Sequence, residues 1–318
     1  MTDPTPAPAP ATSGRKYGGP NGYGHKGELG AQRSVSARNL VHFRAFLARL
    51  GVKVDAATPS SCSLRSKGCP VLDQGPVGSC TGHANAGAIY TTCNQSASTT
   101  IPIPSPDEIY KLGRCIDRGS PSAGALTDSG ANPQSVQAAI NQFGICAMGA
   151  RAPDGRLSDC TPNTINVEPD LATLEAAQCY EMNGQYGIDP TESDFIQLVR
   201  AAIVAGYAVN FAVFVDGAFE SWNPASGPVG APNTSDPNGG GHDLYCDGYH
   251  EDAAGNTILD CVNSWGTGWG AGGYFEGGPA FYTPSAADPN IGWSCVYVMK
   301  VAPVAGDASA PIPEPVQA

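Results

Sequence analysis

The order of periodicities along this chain predicts an α+β fold, and three observations carry that reading. Helical spacing dominates the stretch before residue 206, strand-like alternation sets in at Tyr207, and 40 Gly and 28 Pro among 318 residues argue against a helix bundle. Taken in order, residues 1–33 are a basic arm rich in Pro, Ala and Gly. Its run Pro4–Ala11 cannot bury a core and reads as disordered. Residues 34–54 form an amphipathic helix and linker. Leu40, Phe43, Leu47 and Leu50 recur at spacings of three and four, and Gly51 supplies a stop. The body spans residues 55–302. Its first helix is expected over Ser79–Cys93, with the small residues Ala84, Gly87 and Ala88 facing inward for close packing. Asn132-Pro133 opens a second helix that runs to Phe143, and Glu192–Ala205 is a third. Val209, Phe211, Val213 and Val215 then alternate, as do Leu244, Cys246 and Gly248 with their neighbours. Ile258–Asn263 and Gly273–Glu276 continue in the same style, and Asp252–Gly255 reads as the turn of a hairpin. Residues 303–318 are a second loose, Pro/Ala-rich tail.

Charge divides the chain unevenly. Residues 1–54 hold eight Lys or Arg against Asp3 and Glu28, a net +6, while the whole chain is −12 and the remainder therefore −18. An acidic body argues against nucleic acid as the main partner. The basic arm can instead dock on its own acidic body, and the stretch 34–54 would then restrain access to any groove there. No run of about 18 apolar residues is present to span a membrane, and the first 30 residues lack the apolar core of a Sec signal. Eleven cysteines are many for this length. With Cys80 set aside for chemistry, ten remain, compatible with up to five disulfides of undetermined connectivity. Disulfides imply an oxidising compartment, so the cysteine content points to export by another route or to a particle-associated protein. No C-x2-C pair or H-x3-H cluster is present, so no metal is expected.

Three distant segments fit one reaction centre. Cys80 follows Gly78-Ser79 at a predicted helix start, where the positive end of the helix dipole favours a thiolate. Gln74, six residues upstream in a Gly/Pro loop, can curl back and donate to an oxyanion beside the Cys80 backbone N–H. His242 follows Gly239-Gly240-Gly241 at a strand start and can exchange a proton with the thiol. Asn263 lies 21 residues later, across the hairpin, where it can accept from the His242 ring and orient it. Trp265 and Trp269 can cover that hydrogen bond from water. Two other histidines compete. His83 sits one turn along the helix from Cys80 and is less well aimed, and His250 reads as an exposed residue at a strand end.

The segments Gln74-Gly75-Pro76-Val77-Gly78-Ser79-Cys80 and Asn263-Ser264-Trp265-Gly266-Thr267-Gly268-Trp269-Gly270 resemble the two signatures of the papain-like cysteine peptidases, the C1-type family of the cathepsins. Pro59–Arg65 and Pro70–Gly75 resemble the start of that catalytic domain, in a style closest to bacterial and viral branches. The similarity covers roughly residues 57–302. It implies a two-lobed fold with Cys80 on a helical lobe, His242 and Asn263 on an antiparallel barrel-like lobe, and a polypeptide substrate in the groove between them. It implies no cofactor. Gly78, Ser79, Gly130, Gly241 and Trp265 are the positions expected to border that substrate, with Asp128-Ser129-Gly130 standing in for the family's glycine-rich strand. The chain departs from the cathepsin pattern at Val77, where that group has a cysteine, and at Thr81, where it has a tryptophan. The arm also lacks a long helical pro-segment. The resulting expectation is a cysteine peptidase acting through a Cys80 thioester. Its rivals are a catalytically silent papain-like binding or assembly module and an acyl-transfer enzyme, a transpeptidase or deamidase.

Overall fold

A computed structural model describes residues 41–49, 58–97, 101–117, 126–148, 165–167, 178–190, 192–282 and 296–303. The fold is α+β and papain-like, with helices on one side and a curled antiparallel sheet on the other. Its longer helices are α1 (Phe43–Arg49), α2 (Cys80–Ser96), α3 (Pro106–Asp117), α4 (Pro133–Phe143) and α5 (Phe195–Val204). Its strands are β1 (Val41–His42), β2 (Ser61–Ser63), β3 (Ile145–Cys146), β4 (Gln178–Ile188), β5 (Val209–Val215), β6 (Gly240–Glu251), β7 (Thr257–Val262), β8 (Tyr274–Gly277) and β9 (Val296–Pro303). Among the described residues they join in the order β1-β4-β9-β5-β6-β7-β8, with β2 added to β6 and β3 to β4.

Helix α2 is the axis of the molecule, and its composition explains why. Cys80 to Cys93 are all buried, which a helix can sustain only if its neighbours come very close. Small residues allow that approach. A Cβ at Gly87 would stand 2.3 Å from Cε1 of Tyr245, so β6 lies directly on the helix. Helix α4 begins where the Asn-Pro pair predicts. The Asn132 side chain accepts from the Gln134 N–H at 2.9 Å, and Gly144, at φ +72°, ends the helix by donating to Ile140 at 3.0 Å. The hairpin also forms as expected: Asp252 Oδ1 accepts from the N–H groups of Ala254 (2.9 Å) and Asn256 (2.8 Å), joining β6 to β7.

Two elements depart from the sequence reading. Helix α3 was not anticipated, although Ser105 caps it by accepting from Glu108 N–H at 3.3 Å, and Ile109, Leu112 and Cys115 form its inner face. Strand β4 precedes α5, so helices and strands do not fall into two consecutive blocks. Its sequence, with Gly184 and Gly187 among polar residues, lacks the alternation that marks β5.

Helix α1 docks on the body. Phe43 and Leu47 are wholly buried, Phe46 stacks on Tyr186 with ring centroids 4.1 Å apart, and Arg44 bonds to Asp194 with Glu192 at 3.6 Å. The Phe46 ring also meets Tyr207 edge-on, and the next residue, Ala208, donates its N–H to Thr92 near the C-terminal end of α2. That contact lies about 18 Å along the helix from Cys80. The described part of the stretch, residues 43–49, thus packs at the end of α2 away from Cys80. Residues 34–40 and 50–54 lie outside the described residues, as do the arm and the C-terminal tail. Of the ten cysteines available for disulfides, Cys62, Cys69, Cys246 and Cys261 are present as thiols in this structure.

Candidate active site

Four chain segments converge at the N-terminal end of α2. Cys80 opens the helix, and its first-turn backbone N–H groups have no intrahelical carbonyl to bond. The residue is 8% exposed, and its thiol lies against the backbone N–H of Asp243, the residue after His242. Burial, followed by the nearby Asp243 carboxyl, pushes the thiol up to about 12. The dipole argument expected the opposite direction. It fails because desolvation of a thiolate sealed between helix and sheet outweighs the partial charge of a helix end.

His242 is paired with Val213 on β5 and buried, with Nε2 donating to Asn263 Oδ1 at 2.7 Å. With Nε2 carrying the proton, Nδ1 of the neutral ring is the proton acceptor. Burial holds the imidazole down to about 4, a shift the Asn263 bond only partly offsets. Asn263 is fixed in turn, since its Oδ1 also accepts the Ser264 N–H at 2.8 Å and its own N–H reaches Gly273 at 2.9 Å. The Trp265 ring covers the imidazole at 4.8 Å and 34°, backed by Phe219 and Trp269.

Gln74 joins this cluster across 190 residues of sequence. Its N–H donates to Ser264 O at 2.9 Å, its Oε1 accepts the Ser264 hydroxyl at 2.7 Å, and one Nε2–H donates to Val77 O at 2.8 Å. The amide carries a second Nε2–H, so one donor is left over. Gly78 N–H donates to Asp128 Oδ1 at 3.0 Å. The same oxygen accepts the Tyr110 hydroxyl, which in turn accepts the N–H of Gly130. Gly130 has φ +86°, a conformation glycine adopts without strain. Thus Gly78, Ser79 and Gly130 share one edge of the centre. Gly241, half-buried, and Trp265 flank His242 on the other.

Sequence reasoning assigned no role of their own to Ser264 and Asp243, and a different one to Asp128. Ser264 is a carrier of the Gln74 position, and it was visible inside the Asn-Ser-Trp-Gly segment. Asp128 reads from the sequence only as part of Asp128-Ser129-Gly130, and the fold brings it beside Gly78 as a hydrogen-bond acceptor. Asp243 is wholly buried, and burial holds its carboxyl well above the usual carboxylate range despite the Asn210 amide and Leu244 N–H. Asn85 of α2 approaches it at 3.5 Å.

The competing histidines are otherwise engaged. His83 bonds through Nδ1 to Ser79 O at 2.9 Å and faces the helix start rather than the thiol. His250 stands at the end of a strand, as expected, but is not exposed. It lies within β6, half-buried, with Nδ1 on Asp260 at 3.0 Å. Its potential ligand atom lies within 4.8 Å of those of Asp260 and Glu276, on three successive strands. The Arg65 cation, which binds Asp247 at 2.8 Å and attracts Asp260, already supplies positive charge there. No helix among the described residues is long and apolar enough to cross a membrane.

No family model matches the chain. It is 28% identical over 211 residues to an uncharacterized peptidase C1-like protein of Acanthamoeba polyphaga mimivirus, covering 64% of this chain and 63% of that protein. The chain thus spans less than two thirds of this viral relative. Among solved structures it is similar to xylellain, a cysteine protease from Xylella fastidiosa, with TM-score 0.55, 25% identity, and 77% of this chain and 87% of that one covered. Digestive procathepsin L2 of Tenebrio molitor superposes with TM-score 0.55 at 22% identity, over 88% of this chain and 78% of the other. The bromelain protease of Ananas comosus, solved with the E64 inhibitor, gives TM-score 0.51 at 16% identity, over 77% and 98%. These last two likenesses concern the fold.

Proposed function

We propose that the chain is a papain-like, C1-type peptidase, as its likeness to a peptidase C1-like viral protein and to xylellain supports, that it hydrolyses peptide bonds with Cys80 as nucleophile, and that residues 55–302 are its catalytic unit. The single observation that carries this reading is the His242 Nε2–Asn263 Oδ1 bond of 2.7 Å beside a thiol packed on the backbone N–H of residue 243. The proton needs a route, and the two shifts define it. With the thiol near 12 and the imidazole near 4, each group rests neutral at pH 7. The Cys80 proton passes to His242 Nδ1 as sulfur attacks the substrate carbonyl, so the thiolate and imidazolium charges form together in a dry site. The spare Gln74 Nε2–H and the Cys80 N–H hold the oxyanion. His242 then protonates the leaving amine, leaving an acyl-enzyme thioester. Water attacks it with His242 as base and Cys80 as leaving group.

Asn263 acts by keeping Nε2 protonated and Nδ1 aimed at the thiol, and Trp265 excludes water from that bond. Gly78, Ser79, Gly130, Gly241 and Trp265 border the polypeptide substrate in this reading. The test is direct. The purified chain should cleave a fluorogenic peptide and take a thiol-directed covalent label at Cys80, and Cys80→Ala should lose both. Hydrolysis that survives this substitution sinks the proposal. A folded wild-type chain that neither cleaves nor labels selects the silent module.

A further inference from the structure

The β6–β7 hairpin carries a second pair of sulfur atoms that the reaction does not use. Cys246 and Cys261 are register partners on these antiparallel strands, so both side chains leave the sheet on the same face. Both are wholly buried, and the two thiols are in hydrogen-bonding contact. Each also reaches a carbonyl of its own strand: Cys246 donates to Gly248 O at 3.0 Å, and Cys261 points to Leu259 O at 3.7 Å. Directly opposed residues of such a pair have Cα atoms about 4.5–5.5 Å apart and Cβ atoms at a similar distance. A disulfide needs Cα atoms about 4.4–6.8 Å apart and Cβ atoms about 3.5–4.5 Å apart. Closing the pair therefore takes a Cβ movement of about 1 Å, at a place where the ladder already shifts register between Cys246 and Gly248.

We propose that Cys246 and Cys261 are a disulfide-forming pair, closed during folding by a disulfide-bearing thiol oxidant and shielded from exchange once the hairpin is packed. The chemistry balances as two exchanges. One cysteine thiolate attacks the oxidant's disulfide and expels a thiol, giving a mixed disulfide. The second cysteine attacks that sulfur and expels the other thiol. The pair loses two electrons and two protons, and the oxidant ends as two thiols. Burial sets the timing. With neither sulfur exposed, no reagent reaches the native pair, and burial also holds Cys261 in its protonated, unreactive form. Cys261 lies two residues before Asn263 and Cys246 four after His242, so the bond would tie together the two strands that present those side chains. The inference is independent of the peptidase reading.

The test compares the full chain produced in an oxidising bacterial periplasm with the chain produced in a reducing cytosol. Both are alkylated in denaturant and mapped by mass spectrometry without reduction. The periplasmic protein should yield one linked peptide pair containing Cys246 and Cys261, two hydrogens lighter than the separate peptides. The cytosolic protein should yield both residues alkylated, and prior incubation of the native protein with oxidised glutathione should not change that. Cytosolic chain unfolded in urea and refolded in a glutathione redox buffer should acquire the same link. Separate alkylation of the two residues after both oxidising routes, or pairing of either with another cysteine, overturns the assignment. Closure of the native pair by glutathione overturns the shielding.

Discussion

The two ends of α2 are built on different principles. At the C-terminal end, Thr92 takes the Ala208 N–H, Gln95 takes the Lys67 ammonium at its carbonyl, and α1 packs Phe46 against Tyr186 and Tyr207. These contacts hold ordinary neighbours together, and comparable apolar or polar side chains could replace them at modest cost. At the N-terminal end a thiol, an imidazole, a carboxyl and two amides are buried within one small volume. Each is kept in a particular protonation state or orientation by a named partner. Burying so many polar groups costs stability unless each is bonded. The helix thus spends apolar packing at one end to sustain a polar cluster at the other, and changes at the two ends should affect different observables.

The largest effect expected from this contrast is His242→Ala. It should lower kcat/KM for peptide hydrolysis by about 10⁴-fold or more while leaving the unfolding transition cooperative, as removing one member of a nucleophile–base unit does. A loss under tenfold in steady-state assays would break the contrast. Gln74→Ala should cost about 10²–10³-fold, chiefly in kcat, through loss of one oxyanion donor. A pure KM effect would assign Gln74 to substrate binding instead. At the other end, Phe46→Ala should lower unfolding stability by about 3 kcal/mol in urea titration, since its ring is buried and stacked. Activity per folded molecule should stay the same, and a fall in it would mean that α1 communicates with the groove.

The smallest effect is a pH dependence. His242 takes up its proton near pH 4 in the native state and near 6.5 when unfolded. Its folded value is the lower one, so the stability it contributes is present above pH 6.5 and lost as pH falls through 4. The loss amounts to about 3 kcal/mol. The difference in unfolding free energy between wild type and His242→Gln should therefore change by that order over this window and be flat above it. A difference that is constant from pH 4 to 7 would mean that the imidazole is solvated.

What the sequence determined by itself is a set of candidate reacting groups and the local elements that bear them. Cys80 after Gly-Ser at a helix start, His242 after three glycines, Asn263 and Gln74 are legible as candidates because nucleophilic catalysis calls for these residue types in local settings that leave a mark. Helix α4 is legible for a related reason, since Asn132, Pro133 and Gly144 are cap and stop residues whose effect is carried by adjacent atoms. Periodicity likewise found β5 and the hairpin. Only the tertiary structure decided how these groups are held and charged. The Ser264–Gln74 bond spans 190 residues, Asp128 reaches Gly78 from the loop between α3 and α4, and the Asp243 carboxyl is pushed up because the fold buries it completely. The protonation of Cys80 belongs to the same class. A helix start argues for a lowered thiol pKa from a few neighbouring residues, whereas desolvation depends on every chain segment that packs around the sulfur. Bond-forming chemistry is local to a residue, but its dielectric surroundings are a property of the whole fold.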